Sequence, residues 1–261
     1  MTDLELTMVA ILSELKENHG VVEVKAEFET EGTRMSELMR LKDVADRAGL
    51  GLLLKIGGAE AMRDMFDAQL IGVSGIVAPM IESGYAMKKY LEAVDSAFPE
   101  ELRKRMQLSI NIETKLASEK LDEILAAPGI ERLNAVCVGR VDLSGSMGLD
   151  RSHINGPEVF QITKEIFQRT RSRGLKNKIG GGISREAVSF IKELVGENLL
   201  DFYETRKVVF RAEARDDMEE GILKAGKFEL AWLLNKKQYY ERIAQEDQTR
   251  IAMMQQRLGT S

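Results

Sequence analysis

The segment Val21-Val22-Glu23-Val24-Lys25-Ala26-Glu27-Phe28-Glu29 decides how the chain is read. Val22, Val24, Ala26 and Phe28 fall on one side of an extended chain. Glu23, Lys25, Glu27 and Glu29 fall on the other, the period of two that marks a β-strand with one unusually charged face. Just upstream, Leu4, Leu6, Val9, Leu12 and Leu15 follow a near-helical spacing over residues 3–18, and Gly20 closes the segment as a helix end does. A helix therefore precedes the first strand.

Downstream the two periods alternate. Strand-like runs fall near 50–57, 74–80, 107–112, 133–139, 176–181 and 199–210, and amphipathic helices near 36–48, 59–71, 84–96, 115–127, 157–173 and 184–196. Such alternation predicts parallel strands joined by right-handed crossovers. No Gly-x-Gly-x-x-Gly follows the first strand, which weighs against a dinucleotide fold. A length of 261 residues suits a single (β/α) barrel of about 250 residues. The expected fold class is thus α/β, a (β/α) TIM-type barrel. Only seven strands can be read where a complete barrel has eight, so one is hidden or missing.

Beyond Phe210 the chain turns rich in Glu, Lys, Gln, Leu and Met; residues 212–257 are interrupted only by Gly221 and Gly226, and two long helices are predicted. The expected division is a catalytic barrel over residues 1–210 and a helical extension over 211–261. Phe228, Leu230, Trp232 and Leu233 give the stretch from Leu223 to Leu234 more apolar surface than a terminal helix hides alone. A homo-oligomer formed through these helices is expected, with closure of the barrel bottom as the alternative.

Composition narrows the function. The formal charge of -5 comes from 42 acidic and 37 basic side chains spread along the chain, with no basic block, so no nucleic-acid partner is expected. No apolar run reaches the roughly 18 residues that span a bilayer. The N-terminus, MTDLELTM, lacks a positive leader segment, and a cytoplasmic location without membrane contact is expected. Cys137 is the only cysteine, which leaves no internal disulfide and no Cys-based zinc site. With only His19 and His153 besides, both read as surface or loop residues, a metal would rest on carboxylates. That suits a hard cation such as Mg2+ or Mn2+.

Active groups of a (β/α) barrel stand at the carboxyl ends of its strands. Glu113 follows the strand over 107–112, on the same side as Ser109 and Asn111. Asp142 follows the next strand, after Gly139. Two carboxylates on adjacent strand tips, with no fixed cation between them, would raise each other's pKa, and a shared divalent ion would resolve the conflict. On spacing alone, caps for the following helix and loop serve equally well.

The runs Gly75-Ile76-Val77-Ala78-Pro79-Met80-Ile81-Glu82-Ser83, Ile112-Glu113-Thr114, and Leu121-Asp122-Glu123-Ile124-Leu125-Ala126-Ala127-Pro128-Gly129-Ile130 are followed by Gly139-x-x-Asp142-Leu143-Ser144-x-Ser146-Met147-Gly148. In this order and spacing the chain resembles the HpcH/HpaI aldolase and citrate lyase family, within the phosphoenolpyruvate/pyruvate superfamily of barrels. The resemblance implies a metal-dependent carbon–carbon lyase or aldolase. In it, Glu113 and Asp142 hold Mg2+ or Mn2+, a small 2-oxo acid such as pyruvate binds, and an aldehyde is the second partner. Backbone N–H groups around Ser144 to Gly148, with Gly139, would receive the substrate carboxylate.

The chain departs from the family at three places. Thr30, in Glu27-Phe28-Glu29-Thr30, stands where the family carries a proton-transferring His; Glu27 and Glu29 are then candidates for acid and base, or else members of a salt-bridge network with Lys25. Lys55 replaces a family Arg, keeping the charge without the two-pronged grip. Gly139-Arg140 replaces a Gly-Pro, and Arg140 is the expected source of the missing guanidinium. Arg206 is a candidate for an anionic substrate tail, and Gly181, within Gly180-Gly181-Gly182, for close backbone approach by a ligand or for a tight turn. The competing readings are a Schiff-base aldolase with Lys55 as nucleophile, and a barrel that binds metal and ligand without turnover. A CoA-thioester lyase of the citrate lyase branch has no nucleotide-friendly basic stretch to support it.

Overall fold

The computed structural model describes residues 1–213 and 217–260. In chain order the helices and strands are α1 (Asp3–His19), β1 (Val21–Glu27), α2 (Met35–Arg47), β2 (Gly51–Lys55), α3 (Met62–Ile71), β3 (Gly75–Ala78), α4 (Gly84–Ala97), α5 (Glu100–Arg103) and β4 (Gln107–Ile112). There follow α6 (Lys115–Glu119), α7 (Leu121–Leu125), β5 (Ala135–Gly139), α8 (Arg140–Ser146), α9 (Pro157–Arg171), β6 (Lys176–Gly180), α10 (Val188–Gly196), β7 (Phe202–Glu204), β8 (Val208–Arg211) and α11 (Met218–Leu258).

The eight strands close in sequence order, β1 through β8, into one barrel, as the expected fold class requires. The eighth strand lies inside the run 199–210, which folds as a hairpin rather than one strand. Thr205 N–H donates to Val208 O at 3.0 Å to close the turn. β8 therefore runs antiparallel to both neighbours, pairing Tyr203 with Phe210 on one side and Val24 with Val208 on the other. β1 to β7 are parallel, as predicted.

The predicted pair of C-terminal helices is a single one. α11 is 41 residues long, about 60 Å at 1.5 Å per residue. Its first half lies antiparallel to α1, with His19 Nδ1 2.9 Å from Asp217 Oδ2 at one end. At the other end Thr2 Oγ1 donates to Asn235 Oδ1 at 2.8 Å. Ile222, Ala225, Phe228 and Trp232 bury the inward face, while every residue from 241 to 258 is exposed. No described helix is long and apolar enough to cross a membrane.

The charged face of β1 points into the barrel. Val24 and Ala26 pack outward against the helices, and Glu23, Lys25 and Glu27 are buried inside. Strand register continues the layer: Lys25 lies opposite Leu53, and Glu27 opposite Lys55. Leu53, Val77 and Val209 form a small apolar layer within the barrel. Above it the interior is ionic, and buried charges of this kind persist only when paired.

Candidate active site at the carboxyl end of the barrel

A cavity of about 420 Å³ opens at the carboxyl mouth, with Lys55, Glu113, Gly139, Asp142, Gly181 and Arg206 among its lining residues. Strand alternation explains the placement. Asn111 and Glu113 continue the inward face of β4, and Gly139 ends β5 beside them.

Glu113 is buried at 1% exposure. Its Oε1 accepts from Met80 N–H at 3.1 Å, and its Oε2 from Asn111 Nδ2 at 2.9 Å. Met80 delivers that N–H from a left-handed backbone, φ 51°, which a non-glycine residue adopts only at a cost. Gly139 makes room: a Cβ there would stand 2.4 Å from Glu113 Oε2. Glu113 does not cap the following helix, because Thr114 does so by accepting from Ala117 N–H at 3.1 Å. Asp142, exposed in the first turn of α8, has no hydrogen-bond or ion-pair partner among the described residues.

A fixed cation does stand beside Glu113, contrary to the expectation from sequence. Lys55 Nζ lies 3.6 Å from Glu113 Oε1 and 2.7 Å from Glu29 Oε2. Burial pushes the Glu113 carboxyl above its ordinary range; the Lys55 charge and the two hydrogen bonds oppose this, and the Asp142 charge adds to it. Burial works against the Lys55 ammonium too, yet the Glu113 charge and the bond to Glu29 prevail and raise it.

No described group of three or more His, Cys, Asp or Glu is arranged around one metal position. The oxygen donors nevertheless fit a hard cation held by two carboxylates and completed by water and substrate, the usual manner for Mg2+. Glu113 and Asp142 face one cavity. Asn111 Oδ1, buried there as well, has no hydrogen-bond partner among the described residues.

Beneath the mouth lies an ionic layer in which the salt bridge of Glu27 with Lys25, the alternative offered from sequence, is joined by Glu204 and Lys178, which the sequence reading missed. Lys25 Nζ is 2.9 Å from Glu27 Oε1 and 2.5 Å from Glu204 Oε1, and Lys178 Nζ is 3.1 Å from Glu204 Oε2. Burial would raise Glu204, but the Lys178 and Lys25 charges outweigh it and hold the carboxyl at about 2. Glu27 is lowered in the same way, burial opposing and Lys25 prevailing, so it is not moved toward neutrality as an acid or base needs. Cys137, also in the cavity wall, is pushed up to about 12 by burial and the Glu204 charge, an inert thiol. A signal for Lys178 was present: it sits two residues before Gly180, on the inward period of β6.

Three expected residues lie elsewhere than their assigned roles require. Arg140 is fully buried and does not line the cavity. Its guanidinium donates to Gly180 O at 3.2 Å, Gly181 O at 2.9 Å and Asn155 Oδ1 at 2.5 Å, and lies 4.9 Å from the Phe190 ring centroid. It fastens loops together behind the cavity wall. Ser144 is buried, with Oγ donating to Val141 O at 2.9 Å inside α8, and it too is absent from the cavity wall. Glu29 is likewise absent from the cavity wall and is paired with Lys55 at 2.7 Å. By contrast Arg206, on the β7–β8 turn, lines the cavity, is 46% exposed, and makes only long ion pairs, 3.7 Å to Glu27 and 3.9 Å to Glu31. Gly181 lines the cavity with φ 74°, and a Cβ would come within 2.8 Å of the Arg140 and Val141 nitrogens. α11 adds Ile222, Gly226 and Glu229, which no motif marked.

The closed barrel and its carboxylate-bearing mouth define an α/β barrel of the TIM type. Residues 57–179 match the family model described as HpcH/HpaI aldolase/citrate lyase, the family that the motifs of this stretch resemble. Solved structures agree in fold. An HpcH/HpaI aldolase from Desulfitobacterium hafniense DCB-2 is 18% identical, with a TM-score of 0.62 over 78% of this chain and 82% of that one. An HpcH/HpaI aldolase/citrate lyase family protein from Burkholderia cenocepacia J2315 is 14% identical, with a TM-score of 0.60 over 92% and 90%. The citrate synthase SbnG is 16% identical, with a TM-score of 0.61 over 90% of each chain. A comparison with curated proteins gives no match.

Proposed function

We propose that the protein is a divalent-metal-dependent carbon–carbon lyase or aldolase acting through the enolate of a small, pyruvate-like 2-oxo acid, with an aldehyde as second partner. One observation carries the reading: Glu113, just after β4, and Asp142, in the first turn of α8 after β5, face the same cavity, with Lys55 Nζ 3.6 Å from Glu113 Oε1. The two carboxylates would hold Mg2+ or Mn2+, which supplies Lewis acidity toward the oxygens of the oxo acid when bound.

The chain's own residues do the rest. Met80 N–H and Asn111 fix the orientation of Glu113. The Lys55 ammonium binds the substrate carboxylate and neutralises charge as it develops. Arg206 receives an anionic group at the outer end. The Lys25–Glu204–Lys178 layer forms a rigid floor.

The metal reading is preferred to the Schiff-base one, because a nucleophilic lysine must be neutral and the Glu113 and Glu29 carboxylates beside Lys55 favour its charged form. The test is activity of pyruvate with a panel of aldehydes, measured by mass spectrometry with EDTA and with Mg2+. Loss with EDTA and recovery with Mg2+ supports the proposal. A borohydride-trapped pyruvate adduct on Lys55 contradicts it, and ligand binding without turnover on any aldehyde favours a non-catalytic barrel.

Self-association belongs to the same proposal. Leu223, Leu230, Leu233 and Leu234 are exposed on α11, and Tyr239, Ile243, Ile251, Met254 and Leu258 continue along its projecting half. A second copy of the chain is the natural cover for this surface. Light scattering of the full chain beside a Leu230→Glu/Leu234→Glu variant tests it, a smaller species in the variant being the expected result.

A further inference from the structure

The proposed lyase lacks a proton carrier, since Thr30 stands in the cavity wall where a titrating side chain was expected. The other carboxylates of the cavity are occupied. Glu27 is paired with Lys25, and Glu204 with Lys25 and Lys178. Glu29, which does not line the cavity, is paired with Lys55. Glu113 and Asp142 are the metal pair of the proposal.

Glu229 is different. It reaches the cavity from α11, and among the described residues it has no ion pair or hydrogen bond. Ile222, Gly226 and Glu229 are spaced four and three apart, so one face of α11 forms this wall. Gly226 weakens a helix interior by about 1 kcal/mol relative to alanine. A Cβ there would meet nothing within 4 Å, so no packing constraint requires glycine, and the open space adjoins Glu229.

Resting on the lyase reading, we infer that Glu229 of the C-terminal helix is the group that moves the proton in this cavity. In cleavage of a 4-hydroxy-2-oxo acid, the Glu229 carboxylate takes the proton of the C4 hydroxyl. The O–H electron pair becomes the aldehyde C=O bond, the C3–C4 bond breaks, and its pair enters the enolate. The carboxylic acid then returns the proton to C3, releasing the 2-oxo acid. Half-burial pushes the carboxyl upward, the charges of Lys207 and Arg206 on the hairpin turn pull it down, and those of Glu31 and Glu27, from the end of β1 and the loop beyond, push it up again. The net rise brings it closer to the working pH of an acid–base group.

The test is exchange of the pyruvate methyl protons in D2O with Mg2+, followed by NMR on the full chain. The wild type is expected to exchange faster as pH rises through the Glu229 pKa. Glu229→Gln should slow exchange about a hundredfold or more and lose that pH limb, with calorimetric oxalate affinity in Mg2+ changing less than about twofold; Glu229→Asp should recover part of the rate. Wild-type exchange in Glu229→Gln overturns the inference alone. No exchange in the wild type overturns the lyase reading beneath it.

Discussion

The Lys55 ammonium stands 3.6 Å from Glu113 Oε1 while its tighter partner, at 2.7 Å, is Glu29. The longer contact leaves room for Glu113 to serve a cation, and the shorter one anchors the lysine. Lys55→Ala should therefore raise KM for the oxo acid about tenfold to a hundredfold, the worth of one charge-assisted hydrogen bond, with a smaller effect on kcat. Steady-state kinetics on the best aldehyde check this.

Gly139→Ala tests whether Glu113 must sit where it does. The new methyl would lie 2.4 Å from Glu113 Oε2 and 3.0 Å from its Cβ, so the carboxylate must move. Overpacking of this kind costs about 1–3 kcal/mol, and the displaced carboxylate should lower activity about a hundredfold. Activity and melting temperature measured together separate the two effects.

Arg140 should behave as a structural residue. Burial lowers its guanidinium to about 10, still charged at neutral pH, and it holds the carbonyls of Gly180 and Gly181. Arg140→Met should destabilise the fold by about 1–3 kcal/mol by leaving those acceptors unsatisfied. Arg140→Lys should not restore the several simultaneous contacts. Denaturant titration measures the loss, and the KM of any folded fraction should stay near that of the wild type.

Acid stability should depend on Glu204. Its carboxyl is held at about 2 against an ordinary 4.5, so it contributes stability that is present above pH 4.5 and lost as pH falls toward 2. The shift corresponds to on the order of 3 kcal/mol. Glu204→Gln should flatten melting temperature against pH across that window. At neutral pH it should cost about 3–5 kcal/mol, because Lys25 and Lys178 lose their shared partner.

Much of this architecture was legible because two periodicities alternate cleanly. The charged face of β1 was visible, but that it points inward depends on closure. The run 199–210 read as one strand, although its twelve residues would span about 40 Å at 3.3 Å each, twice its neighbours; that excess length is the trace of the hairpin. Gly221 and Gly226 suggested a break in what is one helix, because packing against α1 outweighs the propensity cost of two glycines. Glu113 and Asp142 could be placed from strand ends. The direction of Arg140 could not, since it is set by α8 beginning immediately after Gly139 and by carbonyls contributed from a loop forty residues away. Glu229 carried no local signal, because its position depends on how α11 docks.

Calorimetric titration of Mg2+, with oxalate present, into the wild type, Glu113→Gln and Asp142→Asn tests the central claim most directly. One saturable site in the wild type, weakened at least about tenfold in each variant, is the predicted result. Equal Mg2+ affinity in all three proteins would contradict it.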